Sequence, residues 1–256
     1  MQATPYAEIN GLLENLLDQM RRILQEKLVG LYLFGSLTTD DFDHESSDID
    51  LLAATSSDIN DTESDALRAM HQEFARNNPQ WEDRVDVAYL SVTALRTFRS
   101  KRSPIAVISP GEPFRMKDAG REWLLNWYVV RQSGVALFGP PAKAIIGPIT
   151  REEFAQSVWD YAAGWGERTN NARDRKGQAY AVLTMCRALY LHRRGGLASK
   201  KKAALWAQKE LPEWSGLIQD ALAWRAAWRD PQSDQDAATR AETIRFVKHV
   251  RDRLPA

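Results

Sequence analysis

Two short apolar runs that enclose a polar loop are the feature that most constrains the fold. Residues 31–34 read Leu-Tyr-Leu-Phe, and residues 49–53 read Ile-Asp-Leu-Leu-Ala. Apolar runs of this length, bounded by turn residues, are typical of buried β-strands. Gly35 and Ser36 follow the first run directly, and Asp48 precedes the second. The stretch therefore predicts two strands of a sheet, with a glycine-serine turn and acidic side chains in the connection between them.

Asp48 and Asp50 are placed to act together. Side chains alternate along a strand, so both carboxylates point to one side, and their Cα atoms lie roughly 6.6 Å apart. Ionised acids crowded on an apolar strand are costly unless a cation or hydrogen-bond donors compensate them. Mg²⁺ prefers carboxylate and phosphate oxygens together, and Gly35 and Ser36 suit the approach of a phosphate. The pattern predicts a metal–triphosphate site, although Asp-Ile-Asp also occurs by chance and Ser-Ser-Asp can be a simple turn or helix cap.

A third acid, Asp86, lies in the later run Arg84 to Leu90. The apolar and β-branched residues around it predict a strand with one discordant carboxylate. Beside the strand of Asp48 and Asp50, this carboxylate can bind metal or take a proton from an attacking hydroxyl. The structural alternative is a charge on an edge strand.

These residues resemble the mark of the nucleotidyltransferase superfamily, which is Gly-Ser, a variable loop, Asp-x-Asp and a later acid. More narrowly, the chain resembles the streptomycin/spectinomycin (aminoglycoside) adenylyltransferases, with matching blocks in the family's order over most of the chain. The blocks lie at residues 33–36, 47–52, 135–140, 182–187 and 206–212. The resemblance implies an enzyme that transfers AMP from ATP, with Mg²⁺ as cofactor.

The resemblance also implies catalytic and metal-binding roles for the three acids. Asp48, Asp50 and Asp86 are the candidate catalytic residues and the candidate metal ligands. The family usually has glutamate in place of Asp86, which is one methylene shorter. Whether Asp86 is the base or a metal ligand therefore stays open.

Five residues are expected to contact the nucleotide: Gly35, Ser36, Ser47, Arg187 and Lys200. Arg187 and Lys200 match basic residues that the family directs at the triphosphate. Lys200 lies in the first turn of a predicted helix, where free N–H groups already attract anions. Arg187 lies on an apolar helical stripe, so it is either a buried ion-pair partner or a phosphate ligand.

Periodicity along the chain predicts an α/β domain with a small mixed sheet at residues 1–144, followed by an all-helical bundle at residues 145–256. We expect the acids to face the helical domain across a cleft. In the first domain, we expect Asp61 or Thr62 to cap a helix. We also expect residues 103–114, with three prolines and a glycine, to be largely loop. A helix is expected to end, and a link to begin, at residues 137–141.

The second half predicts several capped helices. Thr150 to Glu153 forms a capping box, and Ser199 caps the helix that begins at Lys200. Gly195 and Gly196 end the helix that carries Arg187. An all-helical second domain follows from these signals.

The composition favours a cytoplasmic enzyme with no nucleic-acid partner. Lys plus Arg equals Asp plus Glu at 34 each, so no global field attracts nucleic acid or acidic membranes. No apolar segment approaches the roughly 18 residues that span a membrane, and the N-terminus lacks a signal-peptide core. The single cysteine, Cys186, lies in an apolar helical run and is expected to be buried. We expect a monomer.

The acceptor is expected to be a hydroxylated small molecule. The family places carboxylates just before the helix of residues 182–187, where they hold a cationic drug. Here that region has one acid among four basic residues, namely Asp174 with Arg168, Arg173, Arg175 and Lys176. This charge repels a polycation, although Glu167 and Asp160 lie one turn or more away. An aminoglycoside or spectinomycin-like antibiotic and a neutral or differently charged molecule both stay open.

Two alternative functions also stay open. The first is AMP transfer to a protein, as toxin–antitoxin nucleotidyltransferases do. The second is a catalytically silent nucleotide-binding module whose base has degenerated.

Overall fold

The computed structural model describes residues 2–39, 41–165, 174–227 and 237–255. Contacts divide the chain into two compact units, of which the first is Met1–Phe42 with Ser47–Ile149 and the second is Asp43–Ser46 with Thr150–Ala256. Three residues named above lie outside the described residues: Glu167, Arg168 and Arg173. Within the described ranges, no helix has the length and apolar character that a membrane crossing requires.

A six-stranded mixed sheet is the centre of the first unit, as predicted, with the strand order β5-β4-β3-β2-β1-β6. The strands are β1 (Leu28–Phe34), β2 (Ile49–Thr55), β3 (Val85–Ser91), β4 (Ser103–Ser109), β5 (Glu112–Ala119) and β6 (Val135–Phe138). β2 and β3 run parallel, and the other neighbouring pairs are antiparallel. The two apolar runs of the opening motif are therefore adjacent strands.

Five helices accompany the sheet in this unit: α1 (Ala7–Leu24), α2 (Asp61–Asn77), α3 (Val92–Thr97), α4 (Leu124–Ser133) and α5 (Ala142–Ile145). Apolar side chains of α1 and α2, such as Leu16 and Leu67, form one buried cluster with alternate residues of the strands, such as Leu51 and Val87. One face of the sheet is thus filled by apolar packing, because every second strand residue points toward these helices.

The prediction of a loop at residues 103–114 was wrong. This segment contains β4 and most of an antiparallel hairpin with β5, which turns at Pro110 and Gly111. Its prolines do not interrupt the ladder, because Pro104 lies near the start of β4, Pro110 lies in the turn, and Pro113 lies on the edge strand β5. The apolar run at residues 105–108 was the strand signal that the proline count concealed.

Two smaller expectations also need correction. Residues 135–138 form β6, which pairs with β1, whereas the sequence suggested the end of a helix and a link. A run of four apolar residues is too short for its periodicity to distinguish a β-strand from the end of a helix. The cap of α2 is Asn60, one residue before the predicted Asp61, and it forms a capping box with Glu63.

The described part of the second unit is helical, as predicted. Its helices are α6 (Arg151–Ala163), α7 (Arg175–Arg194), α8 (Lys200–Glu210), α9 (Ser215–Ala226) and α10 (Ala237–Arg251). α7 contacts the other four helices. The caps at Thr150 and Ser199 are confirmed, and Gly195 ends α7 in the left-handed conformation. Cys186 is fully buried on α7, as expected.

Candidate active site

The strand register places two of the predicted acids side by side. Asp50 on β2 is the direct partner of Asp86 on β3, and residues in register on parallel strands share a face of the sheet. This face is opposite to the one that α1 and α2 cover, since Ile49, Leu51 and Val87 belong to the apolar cluster. Both carboxylates are only partly exposed.

Gly35 lies against the carboxylate of Asp50. Gly35 follows β1 with φ of +76°, in the left-handed region that side chains rarely adopt. A Cβ atom at this position would overlap Oδ2 of Asp50. The turn that begins at Gly35 therefore meets the acid of the neighbouring strand directly, as the sequence motif predicts for a phosphate-binding turn.

Among the acids that the structure describes, Asp86 has the most strongly shifted pKa. Burial raises the pKa of Asp86 to about 6, and the negative charge of Asp48 acts in the same direction. The Ser109 hydroxyl, which donates a hydrogen bond to Oδ1 of Asp86 at 3.0 Å, and the charge of Lys117 oppose this rise. The third predicted acid, Asp48, is thus within electrostatic range of Asp86, and the three aspartates lie at one end of β2 and β3.

The donor set fits a magnesium ion that is shared with a nucleotide. Among the described residues, no three His, Cys, Asp or Glu side chains are grouped as a set that holds a metal ion by itself. Mg²⁺ in nucleotide sites is usually bound through one or two carboxylates together with substrate phosphates. Asp48 and Asp50 supply two such carboxylates, while the assignment of Asp86 as a third ligand stays a prediction.

The residues next to these acids have mixed roles. Ser36 is partly exposed in the 3₁₀ turn Gly35–Thr38. Ser47 is buried, and its carbonyl oxygen accepts hydrogen bonds from the Arg84 side chain. The nucleotide-binding roles of Gly35, Ser36 and Ser47 stay predictions.

Arg187 and Lys200 belong to the second unit. The Arg187 side chain is exposed on α7, so the alternative of a buried ion-pair partner is wrong. Lys200 is the first residue of α8, and its Nζ lies 5.0 Å from the ring centroid of Tyr180. Their role as triphosphate ligands stays a prediction.

Sequence reasoning missed Ser109, Lys117 and Arg84. Ser109 and Lys117 lie on β4 and β5, and the prolines there concealed the hairpin. The continuous apolar run of residues 105–108, Ile-Ala-Val-Ile, was a usable strand signal. Arg84 precedes β3 directly, and no local pattern reveals that such a residue is buried.

Two protein-family models match the chain. The first, described as nucleotidyltransferase domain, matches residues 13–102. The second, described as aminoglycoside adenylyltransferase, C-terminal domain, matches residues 144–253. No curated protein matches the chain significantly in sequence.

Two solved structures were compared with the chain. The crystal structure of spectinomycin adenyltransferase AAD(9) from Enterococcus faecialis with ATP and spectinomycin superposes with a TM-score of 0.72. The alignment has 14% identity and covers 95% of this chain and 98% of that chain, which shows a shared fold. A crystal structure of a toxin–antitoxin with AMP-PNP has 18% identity over 60% of this chain and 91% of that chain, with a TM-score of 0.30.

Proposed function

Because the chain is a nucleotidyltransferase that resembles the aminoglycoside adenylyltransferases, we propose that it transfers AMP from ATP to a hydroxyl group of a small molecule. Mg²⁺ is the proposed cofactor, and pyrophosphate is the proposed second product. The observation that carries this proposal is the position of Asp50, which lies in register with Asp86 and against the Gly35 turn. Acids on neighbouring strands beside a glycine turn suit a nucleotide whose phosphates share a cation with the protein.

Asp48 and Asp50 are the proposed magnesium ligands. When bound, the ion neutralises charge that develops around the transferred phosphoryl group. The protein's own contribution is to hold two partly exposed carboxylates at the start of a buried strand. The N–H groups of the turn at Gly35 and Ser36 are proposed to bind a phosphate.

Asp86 is the proposed proton acceptor. In the reaction, the acceptor hydroxyl gives its proton to Asp86 as its oxygen bonds to the α-phosphorus of ATP. The bond from that phosphorus to the bridging oxygen breaks, and pyrophosphate leaves with the bonding electrons. A carboxyl group with a pKa of about 6 is mostly ionised at neutral pH and is more basic than an ordinary aspartate, which suits this role.

The second unit is proposed to contribute Arg187 and Lys200 to triphosphate binding. This part of the proposal rests on the resemblance to the adenylyltransferases. The exposure of Arg187 and the place of Lys200 at the start of α8 are compatible with it.

The acceptor is proposed to be spectinomycin-like or a neutral polyol rather than a polycation. The name of the similar solved structure includes ATP and spectinomycin, which makes spectinomycin the first compound to test. A polycation is less suited to the sequence around the start of α7, where Asp174 is the one acid beside Arg168, Arg173, Arg175 and Lys176.

The test is pyrophosphate release with ATP and Mg²⁺ over a panel of spectinomycin, streptomycin and myo-inositol. At least one acceptor is expected to stimulate release by the wild-type protein. The Asp50→Asn variant is expected to lose this stimulation by at least about 100-fold, since a metal ligand supplies several kcal/mol to the transition state. ATP binding without stimulation by any hydroxylated acceptor would contradict the proposal.

A further inference from the structure

Arg84 is a buried cation next to the candidate site. Only 2% of its surface is exposed, and its guanidinium carbon lies 4.2 Å from the ring centroid of Trp81, which is itself buried. The indole N–H of Trp81 in turn donates a hydrogen bond to Glu8 on α1 at 3.2 Å. Arginine stays charged in proteins, so this position holds a permanent positive charge with a fixed plane.

The residue that Arg84 holds is Asp48. Nε and Nη2 of Arg84 both donate hydrogen bonds to the carbonyl oxygen of Ser47, at 2.9 Å and 2.5 Å. The backbone N–H of Ile49 donates to the carbonyl oxygen of Arg84 at 2.8 Å. The peptide groups immediately before and after Asp48 are therefore both bonded to the same residue.

The bond from Ile49 is the first of the β2–β3 ladder, whereas the bonds from the Arg84 side chain fix the peptide before Asp48, at a place where the sheet does not. β2 begins at Ile49, so Asp48 lies just outside the paired part of the strand. Its backbone orientation, and hence the direction of its carboxylate, depends on the groups that bond its two neighbouring peptides. Oδ1 of Asp48 is buried, so a change in that direction cannot be absorbed freely by solvent.

We propose that Arg84 is a positioning residue, whose side chain holds the peptide group before Asp48 and so sets this carboxylate for the metal and nucleotide. The inference rests on the proposed function, in which Asp48 is a magnesium ligand. The planar fork of Arg84 is essential to this role, because its Nε and Nη2 both donate to the carbonyl oxygen of Ser47. Lysine keeps the charge but lacks the fork.

The test is the Mg²⁺ dependence of ATP binding, measured by calorimetry on the full chain. In Arg84→Lys, the Mg²⁺ concentration that gives half-maximal ATP binding is expected to rise about 10- to 100-fold, the usual effect of losing a group that orients a metal ligand. In Arg84→Ala, added methylguanidinium is expected to restore much of the binding, and methylammonium is not, because only the guanidinium reproduces the fork.

The control separates positioning from general stability. Tyr89→Phe removes a buried hydrogen bond on the opposite face of the sheet, so it lowers the melting temperature without touching Asp48. It is expected to keep the wild-type Mg²⁺ dependence. If Arg84→Lys melts at a lower temperature but keeps that dependence as well, Arg84 only stabilises the fold and the inference is overturned.

Failure of the proposed function gives a different result. If the wild-type protein itself shows no Mg²⁺-dependent ATP binding, the metal–nucleotide site that both proposals share is absent, and the inference fails together with the function. If the wild-type protein binds ATP with Mg²⁺ and the Arg84→Lys variant shows the same Mg²⁺ dependence, the inference alone is contradicted.

Discussion

The two faces of the sheet differ although the same strands form both. On the face covered by α1 and α2, Ile49, Val87 and Tyr89 pack in an apolar cluster. On the opposite face, β2 and β3 present Asp50 and Asp86 in register. Because side chains alternate, a single strand supplies both the core and the candidate chemistry.

Each face also has a titratable group that is removed from water. His71 shares a hydrogen bond of 2.7 Å between its Nε2 and the Tyr89 hydroxyl, and burial lowers the pKa of His71 to about 4. Burial raises the pKa of Asp86 to about 6. The rings of Tyr89 and Phe114 surround His71, whereas Asp86 has charged neighbours, including Asp48. A shifted pKa alone therefore does not mark a reaction site, and convergent charges distinguish the second group from the first.

The largest expected effect on activity comes from a substitution of Asp86, on the face opposite to α1 and α2. Asp86→Asn removes the proposed proton acceptor, so acceptor-stimulated pyrophosphate release is expected to fall by about 10²- to 10⁴-fold. A residual rate within threefold of wild type would show that the acceptor hydroxyl loses its proton elsewhere. The measurement is the steady-state rate at pH 8, where wild-type Asp86 is ionised.

The same variant is expected to be at least as stable as the wild type. Because the pKa of Asp86 is raised from 3.8 to about 6, the folded state binds this proton more tightly than the unfolded state. Its contribution to stability therefore declines as the pH rises from about 4 to about 6. Asp86→Asn is expected to remove this part of the pH dependence, which urea unfolding at pH 4.5 and pH 7.5 measures.

Gly35→Ala is expected to have the next largest effect. The new Cβ overlaps Oδ2 of Asp50 and also places alanine at φ of +76°, so the Asp50 carboxylate must move. The matched control is Gly111→Ala, where φ is +78° but a Cβ meets no atom within 4 Å. Both variants are expected to lose about 1–2 kcal/mol of stability from the left-handed backbone. Only Gly35→Ala is expected to weaken Mg²⁺-dependent ATP binding, and equal binding by both variants would contradict contact between the turn and the acid.

Tyr89→Phe tests the face of the sheet that α1 and α2 cover. The substitution leaves Nε2 of the buried His71 without its hydroxyl partner, which is expected to cost about 1–3 kcal/mol in the free energy of unfolding. Pyrophosphate release at temperatures where the protein stays folded is expected to be unchanged. A loss of activity without a loss of folded protein would mean that this face participates in the reaction.

Residues that obey local rules were predictable from the sequence. The β1 and β2 runs, the aspartates and the capping box at Thr150 rest on short-range patterns, and the structure contains each of them. The β4–β5 hairpin was not predictable from its prolines, because their tolerance depends on which strand is at the edge of the sheet. Strand order is a property of the whole unit rather than of the segment.

The same limit explains two basic residues whose burial the sequence did not decide. Arg187 has an apolar residue four positions before it, Leu183, which suggests a buried stripe. α7 instead buries the neighbouring residues Met185 and Cys186, and Arg187 points outward. Arg84 is the reverse case, a charged residue that is buried because Trp81 and the Ser47 carbonyl receive it. Residues that are distant in sequence therefore decide whether each arginine is exposed or buried.

The smallest expected effect is a shift of the pH profile with an unchanged plateau. Activity is expected to fall as the pH drops through about 6, because protonated Asp86 cannot accept the acceptor's proton. Ser109→Ala removes a hydrogen bond that lowers the pKa of Asp86, so this acidic limb is expected to move to higher pH. Lys117→Met removes a favourable charge and is expected to move the limb in the same direction by less. Lys101→Met, which removes an exposed lysine elsewhere in the unit, is expected to leave the limb in place. A limb that stays fixed in both test variants would assign it to a group other than Asp86, and the distinction between the two faces would then rest on the metal ligands alone.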